Sequence, residues 1–322
     1  MNDPDVISPT AAPEGPLSEA WRHFRRNRPA VVGLWVLALL LAAALGSKVL
    51  TDDWLLDTPP LDPATVRLPD KLLPPLALPS DAIPEAERPP LGRYVLGTDN
   101  LGRDVFTRML QGSFVSLSIG FVAVGITLAI GITLGGLAGY YGSRKLLFIT
   151  VDTLIMRFTD VMLCFPTFFL ILTVVALLPP SIYNIMIVIG VTSWMGTARL
   201  VRAEFLSLRE QDFVVAAQAL GLPERRIIFR HMVPNAMAPV LVSATIGVAT
   251  AILTESGLSF LGFGVQPPFA TWGNILNDGR GFIFDAPWLF FVPGFAILVV
   301  VLAFNLVGEG LREAFNPKLR SR

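Results

Sequence analysis

Long apolar runs without a charged residue constrain this chain more than any other feature of its sequence. A helix that spans a bilayer needs about 20 mostly apolar residues, and five runs are of about that length or longer. They cover residues 29–47, 109–143, 161–198, 232–254 and 286–308. Hydrophobic residues make up 53% of the chain and charged residues only 16%, whereas a typical soluble domain is about 25% charged. We therefore predict an all-α integral membrane protein.

The third run is too long for one span, and two prolines interrupt it. Pro179 and Pro180 are followed by Ser181. Consecutive prolines break a helix, because neither has an N–H to donate and each restricts the residue before it. The run therefore predicts a hairpin of two spans, which brings the total to six transmembrane helices.

Arginine and lysine predict the orientation, since both are enriched in cytoplasmic segments. With the N-terminus in the cytoplasm, most of them fall on the inner side, in clusters at 22–28, 144–145, 199–230 and 312–322. We therefore expect a multi-pass protein of the cell membrane with both termini cytoplasmic. The predicted segments are a tail at 1–28, a first transmembrane helix at 29–50, an extracytoplasmic loop at 51–112, a five-helix core at 113–310 that contains a cytoplasmic loop at 204–235, and a tail at 311–322.

Polar residues recur on one helical stripe of segment 144–160, ahead of the third run. Arg157 and Asp160 lie three residues apart there, a spacing that lets their side chains pair. A continuous helix over 145–178 would be about 50 Å long, so its charged end is expected near or beyond the cytoplasmic face. Two hypotheses stay open for this pair: a structural ion pair at the membrane boundary, or residues that line a polar path.

Three glycines share one face of the second run. Gly131, Gly135 and Gly139 recur at four-residue spacing, and small residues at this spacing let two helices approach closely. We interpret them as a packing face and not as part of a pore.

The cytoplasmic loop at 204–235 is polar, basic and helix-prone. Its first part, 204–220, has a helical pattern, with Phe213, Ala217 and Leu220 near one face. Gly221 suits a left-handed helix stop, and Pro223 suits the first turn of the next helix. The pattern predicts two short helices with a sharp corner. The small residues Ala216, Ala217 and Ala219 would allow a partner to approach closely.

A Gly- and Pro-rich segment follows the fifth span on the outer side. It contains Gly262, Gly264, Pro267, Pro268 and Trp272. We expect an ordered outer cap in which Trp272 buries its ring while its N–H finds a partner, although an interfacial tryptophan would look the same. Glu255, near the outer end of the fifth span, is the main ionisable residue within the spans. Trp272 and Glu255 are therefore candidate path or gate residues, with Arg157 and Asp160.

The cytoplasmic loop carries a family resemblance. Residues 216–221 read AAQALG, and after nine residues comes HMVP at 231–234. This arrangement resembles the EAA loop of binding-protein-dependent ABC importer permeases, and is similar to its peptide and nickel branch. Val215 stands where that motif has its leading Glu, and His231 where it has Ile, so no carboxylate role falls on position 215. Further similar blocks are 18–37, 96–117, 156–166, 255–273 and 304–320.

The resemblance implies a specific assembly, the type I ABC importer permease fold. It implies a second homologous permease, two ATPase subunits that each receive one EAA loop, and an extracytoplasmic binding protein. The residues it assigns to the ATPase contact are Ala216, Ala217, Ala219, Leu220, Gly221, Pro223, Glu224 and Pro234. ATP and Mg belong to the partner ATPases, because this chain has no Gly-Lys pair and hence no Walker A motif.

The substrate and the wider class leave alternatives. The branch imports dipeptides, oligopeptides, nickel, glutathione and some sugars, and peptides are the leading hypothesis. A secondary transporter would need ionisable groups in mid-membrane and a detectable inverted repeat, and the sequence offers little of either. A structural scaffold does not explain the ordered loop. A formal net charge of zero indicates no nucleic-acid partner, and one cysteine with two histidines is too few for a zinc site.

Overall fold

A computed structural model of the chain describes residues 16–51, 61–89, 91–146 and 148–315. Its helices are α1 (Pro16–Arg26), α2 (Arg28–Thr51), α3 (Val105–Tyr140), α4 (Val151–Leu163), α5 (Thr167–Leu177), α6 (Ile182–Val191), α7 (Met195–Arg209), α8 (Asp212–Ala219), α9 (Glu224–Ile227), α10 (Val233–Phe260), α11 (Trp272–Gly279) and α12 (Trp288–Phe315). Two short antiparallel strands, β1 (Lys145–Leu146) and β2 (Ile149–Thr150), form a hairpin ahead of α4. The predicted tail residues 1–15 and 316–322, and loop residues 52–60, lie outside the described part.

Six membrane spans can be built from these helices. α2, α3, α10 with the α9 turn that precedes it, and α12 are each long and apolar enough to cross a membrane alone. Two bent pairs, α4–α5 and α6–α7, complete the set, with bends of 81° and 42°. The predicted total of six spans is confirmed when each bent pair counts as one span, and the break between α5 and α6 falls at the predicted proline pair.

The third span corrects one prediction. No continuous helix covers 145–178, because a hairpin occupies 145–150 and the helix breaks again between Leu163 and Thr167. Pro166 explains the second break, since it has no N–H and disfavours a helical conformation at Phe165. The segment is therefore a short helix, α4, bent by 81° from α5, and not a straight rod about 50 Å long.

Helix boundaries also differ from the predicted segments at three places. α3 begins at Val105, inside the predicted loop 51–112, where the Asp104 carboxylate caps it by accepting from the Phe106 N–H at 3.2 Å. α12 continues to Phe315, beyond the predicted core end at 310. Part of the predicted N-terminal tail is a helix, α1. α3 and α12 thus extend past the apolar runs that predicted their spans, whereas α1 is a separate helix ahead of the first span.

Helix α3 lies at the centre of the molecule and packs against α2, α6, α7 and α10. The three glycines of its small face lie against α7, where added Cβ atoms would meet Thr197 at Gly131, Ala198 at Gly135 and Phe205 at Gly139. The packing interpretation of that stripe is confirmed. This packing brings the start of loop 204–235, at the end of α7, next to the end of α3.

Residues 61–104, which make up most of the predicted extracytoplasmic loop and are here called the outer lobe, form an ordered lobe without long secondary structure. Its centre is the buried Asp70, whose carboxylate accepts from the Tyr94 hydroxyl at 2.6 Å and the Ser80 N–H at 3.0 Å. The Thr98 hydroxyl donates to the Asp70 carbonyl at 2.5 Å. Burial of the Tyr94 hydroxyl is the main cause that raises its pKa, and its hydrogen bond to the Asp70 carboxylate raises the pKa further. Polar contacts therefore hold together a lobe that has little regular backbone pairing.

Candidate functional site

Loop 204–235 forms a helical hairpin, although its first helix is shorter than the sequence predicts. The pattern at 204–220 predicted one helix, but α7 ends at Arg209 and α8 begins at Asp212. The turn folds α8 back so that Val214 and Ala217 pack in one apolar cluster with Phe205 and Ile227. Burial of these side chains outweighs the local tendency to continue the helix.

The two faces of α8 differ from the predicted arrangement. Ala217 is only 5% exposed and faces the loop's own core, whereas Phe213 is 41% and Leu220 81% exposed. The expectation that Phe213, Ala217 and Leu220 form one surface is wrong, because Leu220 already belongs to the turn after α8. Ala216 and Ala219 are exposed. Of the three alanines, only these two are available to a partner.

The corner of the hairpin is built by Gly221, which has φ of +73°. The Gly221 N–H donates to the Gln218 carbonyl at 2.9 Å and the Leu222 N–H to the Ala217 carbonyl at 3.2 Å, which ends α8 as predicted. Pro223 immediately precedes α9. A Cβ at Gly221 would meet no atom within 4 Å, so the cost of a side chain there arises from the left-handed backbone alone.

A cluster that the sequence analysis missed ties this corner to the end of α3. Arg144 forms an ion pair with Glu224, and the Tyr141 hydroxyl donates to Glu224 at 3.0 Å. The Arg144 guanidinium also lies 4.5 Å from the centre of the Tyr141 ring. Burial is the main cause that raises the pKa of Tyr141, and the hydrogen bond from its hydroxyl to Glu224 raises the pKa further. These groups border a polar cavity of about 280 Å³ between α3, α7 and the loop.

Helix α9 runs into α10 through a π-helical turn, Ile228–Met232. Glu224–Phe260 is therefore continuous helical backbone, and Pro234, the second residue of α10, comes directly after the π-helical turn. π-helical turns are often found at functional sites. Continuous helical backbone thus connects the loop to α10.

The predicted ion pair between Arg157 and Asp160 is present, but a second arginine lies closer to Asp160. Arg157 approaches Asp160 at 3.5 Å, whereas Arg199 of α7 approaches it at 2.6 Å. Both arginine side chains are more than half exposed. Asp160 therefore links α4 to α7, and Arg199, which had no paired signal in the sequence, was missed.

Glu255 is fully buried and does not line an open cavity. Its Oε1 accepts from the Ser259 hydroxyl at 2.6 Å, while Oε2 makes no hydrogen bond to any described residue. The hydroxyls of Ser116, Ser256 and Thr271 surround the carboxyl group. The structure therefore joins α3, α10 and the start of α11 around one buried acid.

Trp272 lies beside this cluster, with 1% of its surface exposed. Its indole N–H donates to the Met109 carbonyl at 3.2 Å, and its backbone N–H donates to the Ser116 hydroxyl at 3.3 Å. Gly112 allows the contact, since a Cβ there would lie 3.2 Å from the indole ring. The cap that begins after α10 is thus attached to the outer end of α3.

An ion network that the sequence analysis also missed fixes the outer lobe. Asp99 binds Arg103 at 2.7 Å and Arg108 at 2.5 Å, and Asp278 of α11 binds the same two arginines at 3.0 and 2.9 Å. The Asp99 side chain is 0% and that of Arg108 3% exposed. No spacing in the sequence pairs Asp278 with residues about 170 positions earlier. Within the described ranges, no group of three His, Cys, Asp or Glu side chains could hold a metal ion.

This geometry defines a multi-span helical membrane protein with a structured helical hairpin on one face and an anchored lobe on the other. Residues 131–321 match the family described as binding-protein-dependent transport system inner membrane component, and residues 15–75 match the N-terminal transmembrane domain of oligopeptide transport permease C. The chain belongs to the family of binding-protein-dependent transport system inner membrane components. It is a non-catalytic permease subunit of an ABC importer that works with ATPase and substrate-binding components.

Individual relatives cover most of the chain. The dipeptide transport system permease DppC of Alkalihalophilus pseudofirmus is 40% identical over 306 residues, which is 95% of this chain and 91% of the relative. The glutathione transport system permease GsiD of Pectobacterium atrosepticum is 39% identical over 219 residues, 68% of this chain and 71% of the relative. An inward-facing structure of the MetNI methionine ABC transporter shares the fold, with a TM-score of 0.51 and 18% identity over 66% of this chain and 98% of that chain.

Proposed function

We propose that this chain and a second, related permease form a path for dipeptides or oligopeptides, driven by two ATPase subunits that grip loop 204–235. The observation that carries the proposal is the exposed apolar tip of the hairpin. Leu220 is 81%, Val215 50% and Phe213 41% exposed, outside the segments that span the bilayer. Exposed apolar surface of this kind marks a protein contact.

The hairpin has the shape that such a contact needs. Ala216 and Ala219 keep the surface of α8 low, and Gly221 with Pro223 turns the chain sharply enough to enter a cleft. ATP and Mg bind in the partner subunits, which have the phosphate-binding loops this chain lacks. Closure of the two ATPases on ATP would then move the hairpin as a unit, because Val214, Ala217 and Ile227 pack as its own core.

Two connections would carry that movement into the membrane. The π-helical turn joins α9 to α10 without a break, and Glu224 contacts Tyr141 and Arg144 just after α3. Pro234 lies at the beginning of α10, where the hairpin joins the fifth span. Displacement of the hairpin would therefore reach α10 directly and α3 through the Glu224 contacts.

At the other face, Glu255 and Trp272 would form part of the outer gate. Both are buried where α3, α10 and the cap meet, so a change in the α10 angle would alter their contacts. A binding protein docked on the outer lobe would sit above them. Arg157 and Asp160 belong to the candidate path at the opposite end, where exposed opposite charges suit the two charged ends of a peptide.

The proposed topology places both termini and loop 204–235 in the cytoplasm and segment 51–112 outside. Support comes from the arginine distribution. Cysteine residues placed at Asp62 or Glu85 in a Cys164→Ser background should react with a membrane-impermeant reagent added from outside. Labelling from the cytoplasmic side only would reverse the orientation.

The substrate assignment is supported by the relative named for dipeptide transport, while the glutathione permease at similar identity supports a second candidate. Both substrates contain peptide bonds and charged ends; nickel remains a third candidate. The complex reconstituted with its own binding protein should take up a labelled dipeptide when ATP is inside the vesicles. Uptake of nickel or glutathione but not of peptides would contradict the peptide assignment and identify the transported compound as the substrate. A purified chain that brings no ATPase subunits with it would contradict the assembly.

A further inference from the structure

A basic amphipathic helix, α1, leads directly into the first span. Only Asn27 separates α1 from α2, and its side chain accepts from the Ala30 N–H at 3.0 Å while donating to Glu313 at 2.6 Å. α1 therefore ends one residue before the first candidate span, beside the last turns of α12.

One face of α1 is fixed against α12. Phe24 and Ala20 are buried at 3% and 5% exposure. Gly310 makes room for this contact, since a Cβ there would lie 3.0 Å from the Phe24 ring. The helix is thus held in one orientation, so its opposite face is a defined surface.

That opposite face is strongly basic. Arg22, Arg25 and Arg26 are all exposed, as is Arg28 at the start of α2, against one acidic residue, Glu19, between positions 16 and 28. Trp21 is 51% exposed, stacks on Phe24 at 5.7 Å and lies under the Arg25 guanidinium at 5.7 Å. Arginines beside a half-exposed tryptophan match the headgroup layer of a bilayer, where phosphates meet the ends of the acyl chains.

We propose that the exposed face of α1 binds the phosphates of anionic phospholipids and that this contact raises transport activity. Clusters of basic residues next to a span attract anionic lipids, at about 1 kcal/mol for each arginine near the surface. Exposed apolar residues follow in the first turns of α2, where Val32 is 58% and Trp35 72% exposed. Because α1 is attached to α2 and α12, a lipid bound there restrains the inner ends of two spans at once.

The test uses the full importer complex in vesicles of phosphatidylethanolamine with phosphatidylcholine, and in vesicles where phosphatidylglycerol replaces the phosphatidylcholine. Binding-protein-stimulated ATP hydrolysis and uptake should be higher with phosphatidylglycerol, and high salt should reduce the difference. In the double variant Arg25→Gln/Arg26→Gln, the phosphatidylglycerol needed for half-maximal stimulation should rise about fivefold per arginine, and so about 25-fold. Arg25→Lys/Arg26→Lys should keep the response.

A matched control removes two exposed charges from the outer lobe, Lys71→Gln/Arg93→Gln, and should respond to lipid as the unchanged protein does. An unaltered lipid response in the α1 glutamine variant would overturn the proposal. Failure of that variant to assemble in either lipid would also overturn it, because the face would then bind a protein subunit. Absence of ATP-dependent uptake by the unchanged complex in both lipids would instead count against the proposed function.

Discussion

The two aqueous faces of the molecule hold their charges in opposite ways. At the outer lobe, Asp99 and Arg108 are almost completely buried, with side chains 0% and 3% exposed. At the hairpin, Arg144 and Glu224 are 61% and 45% exposed. A buried ion pair cannot be opened without leaving an unpaired charge, whereas an exposed pair exchanges readily with water. The ion pairs of the outer lobe therefore resist opening, whereas the pair at the hairpin corner can open at little cost.

Apolar surface does not follow this division. The hairpin exposes Leu220 and Val215 to water, and the outer lobe exposes Leu76 and Leu78, at 62% and 71%, although Trp272 beside it is only 1% exposed. Both faces therefore have apolar surface for a partner to cover, and the burial of ion pairs is what distinguishes them. The four predictions below test this difference, from the largest expected effect to the smallest.

The outer network should show the largest effect. Arg108→Ala leaves Asp99 with one guanidinium in place of two and should destabilise the protein by about 3–5 kcal/mol, because a buried charge loses a partner. The amount of folded protein in the membrane and its thermal transition in detergent measure this. Arg93→Ala, an exposed arginine of the same lobe, is the control and should change neither; equal losses in both variants would remove the network from the account.

The alanines of α8 separate folding from docking. Ala217→Glu places a charge in the hairpin's own core and should destabilise the hairpin by about 1–3 kcal/mol, with cleavage of the loop by added protease. Ala216→Glu, one residue away and exposed, should leave the hairpin protected but abolish capture of the ATPase subunits. Protease protection and co-purification distinguish the two outcomes. Identical behaviour of the two variants would mean that the exposed face of α8 is not the contact.

A side chain at Gly221, the hairpin corner, should be costly even though there is open space around it. Gly221→Ala should cost about 1–2 kcal/mol through the left-handed backbone and reduce uptake, although the new Cβ has open space. Gly196→Ala is the matched control, since a Cβ there also meets nothing within 4 Å and its φ is not positive. Uptake by both variants at the level of the unchanged protein would show that the corner conformation does not matter for coupling.

The tether from the corner to α3 should have the smallest effect. Glu224→Gln removes the ion pair to Arg144 but keeps a hydrogen-bond acceptor for Tyr141, so stability should change by less than about 1 kcal/mol. If the tether transmits motion, ATP hydrolysis should continue while uptake per ATP falls. Glu309→Gln, which removes an exposed pair with Arg312 on α12, is the control. An unchanged ratio of uptake to hydrolysis in Glu224→Gln would leave α10 as the sole connection.

The sequence by itself was sufficient for the features that depend on local chemistry. Uncharged apolar runs determined the number of spans, because a charged residue is costly in hydrocarbon. Pro179 and Pro180 marked the break between the third and fourth spans, and Gly221 marked the corner of the cytoplasmic loop. The backbone preferences of proline and glycine are local and do not depend on what surrounds them. The sequence also predicted that the three glycines of α3 form a packing face, but not that α7 is the helix packed against them.

Only the tertiary structure decided the features that depend on distant partners. It buried Ala217 and exposed Ala216, because α8 folds back over Ile227 instead of extending α7. It joined Arg103 and Arg108 to Asp278 across 175 and 170 positions, and Arg144 to Glu224 across 80, separations that carry no periodic signal. A residue's own preferences are local and can be read along the chain, whereas the choice of which polar groups neutralise each other is made when the helices pack.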